Sequence, residues 1–231
     1  MAQNQAAGLR YRLKRSNRKS IAIYIKDGTI EVRAPLGMER AAIDAFVAAK
    51  EAWISERLAL SGAQREARMH FSLDYGCTLR LCGKAYPIVP REGRQAGFAD
   101  GAFFMPPDLT PMQIKAVAIQ LYRHIAKNRL PARVTHFSKI MDVTPTNFHV
   151  TNAKTRWGSC SQKGSVNFAW RLMMAEEALI DYVVVHELAH LKELNHSARF
   201  WAHVAEVLPD YRDREQRFSL LQKQLSMENW D

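Results

Sequence analysis

Between residues 9 and 35 apolar and polar side chains alternate, most cleanly in IAIYIKDGTIEVRAP, and this period of two predicts half-buried strands. Asp27-Gly28, inside that run, is a dipeptide that closes a tight hairpin. From Met38 to Leu60 the period lengthens, with Ala42, Phe46, Ala49, Trp53 and Leu60 recurring near helical spacing. Residues 61–74 read as a polar connection, and residues 75–105 as short strands broken by Gly76, Gly83, Gly93, Gly97 and Gly101. Pro106-Pro107 and Pro111 mark a boundary. Beyond it, MQIKAVAIQLYRHIAKNRL predicts an amphipathic helix with Ile114, Val117, Ala118, Leu121 and Ile125 inward, and Pro131 starts another helix reaching about Met141. Residues 146–172 read as strands, with Gly158 and Gly164 in turns. Helices near 176–193 and 197–208 follow, then a polar helical tail. The expected class is α+β: a β-rich N-terminal portion with one helix over 1–105, then a second, α+β domain over 106–231.

Composition narrows the setting. Hydrophobic residues at 47% and charged residues at 24% are ordinary for a soluble globular chain. No run approaches the roughly 20 apolar residues that span a bilayer, so no membrane partner is expected. The first residues lack the apolar core of a secretory signal. Cys77, Cys82 and Cys160 are odd in number and sparse, which argues against a disulfide framework and for a reducing cytoplasm. The net charge of +10 is unevenly spread: residues 112–163 hold nine Lys/Arg against one acid, and residues 164–231 hold seven against eleven. Such a basic stretch suits an acidic partner or nucleic acid, and equally a plain solvated surface.

The chemistry concentrates in HELAHLKELNH, from His186 to His196. On a helix, residues four apart lie on one face with Cβ atoms about 6 Å apart, so His186 and His190 can converge on one zinc ion. On a strand they would lie about 13 Å apart and could not. Tyr182-Val183-Val184-Val185 would suit a strand locally, so propensity alone leaves both readings open. Chance gives a bare His-Glu-x-x-His in roughly one in sixty chains of this composition, and a third histidine ten residues after the first makes chance much less favourable. The metzincin pattern has the same offset but a glycine midway, where Glu193 stands here. Asn195 offers a left-handed residue to end the helix instead, and Ser197 a cap for the next one.

Three protein ligands leave a fourth position for water, the catalytic arrangement, and Glu187 lies beside it to take a proton. Glu193, seven residues after His186 on the same helical face, is the alternative third ligand. His203 follows His196 by seven and reads as packing; His70, His124, His136 and His149 read as structural. Cys160 with a nearby histidine is a rival nucleophile, although a metal site already accounts for the histidines. Cys77 and Cys82 are too isolated for a zinc knuckle.

With these residues in view, TRWGSCSQKGSVNFAWRL followed by IDYVVVHELAHLKELNHSARFW resembles the YgjP-like metallopeptidases, which are similar to the SprT and WLM zincins. The similarity extends weakly to SNRKSIAIYIKDGTIEVRAP and the helix ending near Trp53, so it spans most of the chain. The resemblance implies a zincin-like core with His186, His190 and His196 as ligands and Glu187 as the catalytic glutamate. It also implies a strand beside the metal helix that pairs with an extended peptide, supplied by the Arg156–Cys160 segment or by residues 165–172. Arg156 would then steady a substrate carboxylate or the oxyanion, or else pair with an acid; Trp157 and Trp170 read as core. Ala175-Glu176 departs from the pattern, which has a proline before the metal helix. The expected function is hydrolysis of peptide or protein substrates, with one zinc per chain and Glu187 as general base. The alternative is a nucleic-acid-associated protein, or a DNA-associated protease, using residues 112–163, with a mainly structural zinc.

Overall fold

The computed structural model describes residues 3–26 and 28–231, so Asp27 of the expected hairpin lies outside the described residues. The chain divides into two compact units, Met1–Phe71 with Ser226–Asn229, and Ser72–Leu225 with Trp230–Asp231.

In the first unit, strands β1 (Gln3–Ala6), β2 (Leu9–Ser16), β3 (Ala22–Lys26) and β4 (Thr29–Pro35) form one sheet in the order β1-β2-β4-β3. Strands β3 and β4 pair antiparallel with Lys26 opposite Thr29, and Gly28 supplies the positive φ of +73° that the turn between them needs. Helices α1 (Arg40–Ala49) and α2 (Glu51–His70) follow. Tyr11, Ile30, Val32, Ala34, Ile43, Val47 and Ile54 form the core. The buried helical stripe is Ile43, Val47 and Ile54, one position away from the expected Ala42, Phe46 and Trp53; Trp53 is exposed. The larger aliphatic side chains win the buried face over a stripe diluted by alanine. Residues 61–70, expected as a connection, continue α2. Ala, Gln, Arg, Glu and Met are strong helix formers, and a mostly exposed turn of helix needs no apolar period.

The second unit opens with β5 (Thr78–Leu81), β6 (Lys84–Pro90), β7 (Gly97–Ala99) and β8 (Ala102–Met105), ordered β5-β6-β8-β7. The expected boundary near residue 105 falls inside this unit. Helix α3 (Pro111–Met141) is next, then β9 (Asn147–Thr151), β10 (Gly158–Cys160) and β11 (Ser165–Ala169). These three make a sheet in the order β10-β11-β9, with β11 parallel to β9 and antiparallel to β10. A 3-10 turn over Trp170–Met174 leads to α4 (Glu177–Ala189), α5 (Ala198–Val207) and α6 (Tyr211–Leu225). The class is α+β, as expected. Among the described residues, no helix is long and apolar enough to cross a membrane.

Helix α3 corrects the expectation of a break at Pro131: it is one helix of 31 residues with the proline inside it. Thr110 and Gln113 form a capping box, the Gln113 N–H donating to Thr110 Oγ1 at 3.4 Å and the Thr110 N–H to Gln113 Oε1 at 2.8 Å. A mid-helix proline costs about 3 kcal/mol. Ile114, Ala118, Tyr122, Ala126, Leu130, Val134, Phe137 and Met141 form an unbroken buried stripe across it. Burying side chains of the size of Leu130, Phe137 and Met141 contributes about 1.5–3 kcal/mol each, which outweighs that cost. Val117, Leu121 and Ile125, expected inward, are half-buried flanks of this stripe.

The charge segregation of the sequence closes on itself in part. Arg129 pairs with Glu177 at 2.7 Å, and Arg133 holds Asp181 through two bonds of 2.7 and 2.8 Å. Lys115 donates to the main-chain oxygen of Asp231 at 2.8 Å, and Arg123 to Asn152 at 2.9 Å. Lys154 and Arg171 share one Asp231 carboxylate oxygen, each at 3.2 Å. Arg129, Arg133 and Lys154 of the basic stretch 112–163 therefore meet acids of residues 164–231, whereas Lys127 is exposed on α3.

Candidate metal centre

Helix α4 forms despite its β-branched run because it is apolar nearly all round. Leu179, Ile180, Val183, Val184, Val185, Leu188 and Ala189 are all buried, the signature of a core helix. Glu176, where the family pattern has a proline, is the N-cap residue; its side chain pairs with Arg217 at 2.6 Å and makes no cap bond. The helix ends at Ala189, short of the expected 193, so His190 stands at its C-cap. The chain then tightens: Leu191 N–H bonds the Leu188 carbonyl and Lys192 N–H the Ala189 carbonyl, both at 3.0 Å. Asn195 does not take the left-handed conformation expected of it, because these tight turns already reverse the chain. Ser197 does cap α5, accepting from the Phe200 N–H at 3.4 Å.

This turn brings His196 back over the helix end. One ring nitrogen from each of His186, His190 and His196 lies within 4.8 Å of the others. His186 Nε2 and His196 Nε2 are 3.0 Å apart. Two nitrogens bound to one tetrahedral zinc stand about 3.3 Å apart, so the pair needs only a slight spreading. His190 Nδ1 lies 3.1 Å from the Glu193 carbonyl oxygen. A carbonyl only accepts, so Nδ1–H is the donor and Nε2 keeps its lone pair for an ion. Burial, followed by the neighbouring His190 and His196, holds His186 down to a pKa of about 4. A neutral imidazole is the form a metal requires. The donor set, its spacing and the lowered pKa values of His186 and His190 all fit a single transition-metal ion. Glu193, His203, His70, His124, His136 and His149 stand outside this group.

Phe200 is the floor of the cluster, and sequence reasoning missed it. Fully buried on α5, its ring centroid lies 4.9, 4.5 and 4.6 Å from those of His186, His190 and His196. We expect Phe200→Ala to cost about 3–5 kcal/mol of stability and to weaken metal retention, because all three rings lose one wall. Denaturant unfolding of the metal-free and metal-loaded protein measures both; a variant as stable and as tightly loaded as the parent would remove this role.

Glu187 is only 6% exposed, and burial pushes its carboxyl up to about 8, with the Arg156 charge acting in the opposite direction. It lies against β10. A Cβ built on Gly158 would stand 2.5 Å from Glu187 Oε1 and 2.6 Å from its Cγ. Gly158 is thus a strand residue in close contact with the glutamate, where a turn was expected. Nothing in a single sequence marks this contact across 29 residues.

Strand β11 is paired on both sides and residues 170–172 lie in the 3-10 turn, so residues 165–172 offer no sheet edge; β10 and β9 are the outer strands. Arg156 is exposed just before β10, near enough to act on Glu187 through its charge. Trp170 is core, stacked 5.5 Å from Tyr122, and Trp157 is half-buried, edge-on to Phe218 at 5.0 Å. Cys160, the rival nucleophile, has its thiol pKa raised by burial and then by Glu187, the reverse of what an activated thiolate needs.

Comparison with known proteins bears directly on this arrangement. No curated protein sequence matches the chain. Two solved structures are similar in part. The metallopeptidase zymogen of Pyrococcus abyssi abylysin is 25% identical over 43% of this chain and 96% of its own, with a TM-score of 0.37. That of Methanocaldococcus jannaschii jannalysin is 20% identical over 42% and 98%, with a TM-score of 0.37. The family described as YgjP-like, metallopeptidase domain, matches residues 19–220, a span that contains every residue of the histidine cluster. The match covers most of the chain and includes the whole histidine triad at the end of its buried helix, and so the chain belongs to the YgjP-like metallopeptidases.

Proposed function

We propose that the protein is a zinc-dependent peptidase in which His186, His190 and His196 hold one zinc ion and Glu187 is the general base. The observation that supports this most is the convergence of three histidine nitrogens within 4.8 Å, next to a buried glutamate in the same helix. Zinc, when bound by three ligands, polarises a carbonyl and lowers the pKa of a water in the fourth position. The chain's own residues do the rest. His190 is oriented by its bond to the Glu193 carbonyl. Glu187, held between α4 and β10, accepts the proton of the attacking water. The outer edge of β10 takes an extended peptide as an added strand, and Arg156 beside it steadies a substrate carboxylate or the oxyanion. In this reading the chemistry resides within residues 106–231. The three free cysteines suit a reducing compartment such as the cytoplasm.

The alternative, a structural zinc in a nucleic-acid-binding module, has less support. A structural site closes its fourth position with a protein ligand, whereas among the described residues this group has three. Arg129, Arg133 and Lys154 of residues 112–163 are also taken up by internal ion pairs.

Zinc titration of two variants tests the reading. His196→Ala should lose most of its zinc from a site that starts at one ion per chain. Glu193→Ala should change affinity by no more than about tenfold, because only its main-chain carbonyl supports a ligand. Full zinc in His196→Ala with loss in Glu193→Ala would exchange their roles.

A further inference from the structure

The first unit carries a basic surface that the peptidase reading does not use. On β2, Arg10, Arg12 and Lys14 are exposed and alternate with the buried Tyr11 and half-buried Leu13. Residues two apart on a strand are about 6.6 Å apart, so the three cations form a row on the face turned away from the core. Strand register extends this surface sideways. Arg12 stands beside Glu31 on β4, and Glu31 beside Tyr24 on β3; Lys14 stands beside Arg33. Glu31 is the one acid at these positions, and it is already bonded to Arg33 at 2.5 Å. That bond, then the charges of Arg33, Lys14 and Arg12, hold its carboxyl below the usual range, which places all three cations close around it. Unlike Arg129 and Arg133 of α3, Arg10, Arg12 and Lys14 form no ion pair among the described residues.

The same face presents a flat π surface. Tyr24 is 44% exposed, and the Arg33 guanidinium lies over its ring, 4.2 Å from the centroid. A row of evenly spaced cations beside an exposed aromatic–guanidinium stack is the chemistry that recognises a single-stranded nucleic acid: cations follow the phosphates, and planar groups stack with bases. An acidic protein or an anionic lipid surface would use the cations and leave the stack without a role.

We propose that the open face of the β1–β4 sheet binds single-stranded nucleic acid, with phosphates on Arg10, Arg12 and Lys14 and a base stacked on the Tyr24–Arg33 pair. The proposal is independent of the metal site, so its failure would leave the peptidase reading intact.

Fluorescence anisotropy with the full, zinc-loaded chain tests it, using a labelled oligothymidine about 16 nucleotides long at salt from about 50 mM upward. The parent should bind, more weakly as salt rises. Replacing Arg10, Arg12 and Lys14 together by Glu should weaken binding more than tenfold and flatten the log–log salt slope by about two units, given about 0.7 for each single-strand phosphate contact. The milder Arg12→Gln with Lys14→Gln should flatten it by about 1.4 should the triple reversal fail to fold. Tyr24→Ala should cost about tenfold with the slope unchanged, since stacking releases no counterions. Lys127→Glu on α3 should change neither. Absence of binding at the lowest salt, or full binding by the charge variants, overturns the proposal. So does a Tyr24→Ala variant with undiminished affinity, which would make the surface a general polyanion site serving acidic proteins or phosphatidylserine vesicles.

Discussion

Glu187→Gln should keep one zinc per chain and lose peptide hydrolysis by about 10²- to 10⁴-fold in kcat, the range a positioned general base supplies. The amide has the shape of the carboxylate, so packing against β10 is preserved, but it cannot accept a proton. Metal analysis and a fluorogenic casein assay, run on one preparation, separate the two effects. An active Glu187→Gln enzyme would remove the glutamate from the role. The substitution also has a signature in the metal-free protein. There the folded carboxyl sits at about 8 because it is buried, above its value in the unfolded chain. The folded state then binds the proton more tightly, so stability falls as pH rises from the unfolded value towards about 8. Glu187→Gln should abolish that part of the pH dependence, which urea midpoints across the interval would reveal.

Gly158→Ala should be nearly as damaging, although the residue has no side chain to contribute. Its backbone is extended and lacks a positive φ, so alanine meets no strain in the main chain. The whole cost lies in the new methyl group, 2.5 Å from Glu187 Oε1 and 2.6 Å from its Cγ. Either Glu187 swings aside or β10 moves outward, and a displacement of about 1 Å in a catalytic group costs on the order of 10²-fold in rate. Zinc content should be retained, since no ligand is touched. A double-mutant cycle identifies the cause: with Glu187→Ala in place there is no Cγ to strike, and Gly158→Ala should then cost little stability. Equal costs in both backgrounds would show that the methyl group collides with something else.

The candidate ligands were legible because they are local. His186 and His190 are four residues apart, and the 3.6-residue turn of a helix alone sets their separation. His196 follows within six residues, so the same short segment had to supply it. Even here local rules misjudged the exit: the helix stops at the C-cap and leaves through tight turns, without a left-handed Asn195. The β2–β4 strands were legible for a similar reason, since a period of two survives wherever one face of a strand is buried.

What the sequence could not determine lies between segments distant along the chain. Pro131 reads as a break by its own chemistry, and only the buried stripe running past it on both sides overrules that cost. The separation of basic residues 112–163 from the acids that follow reads as an open field. Only the packing of α3 on α4 turns Arg129 and Arg133 towards Glu177 and Asp181. Gly158 and Phe200 are ordinary letters until β10 lies along α4 and α5 beneath the histidines. Periodicity along a chain encodes which face of an element is buried. What that face touches is a matter of close packing, which depends on the volume and shape of residues far away in sequence, and so was decided by the tertiary structure alone.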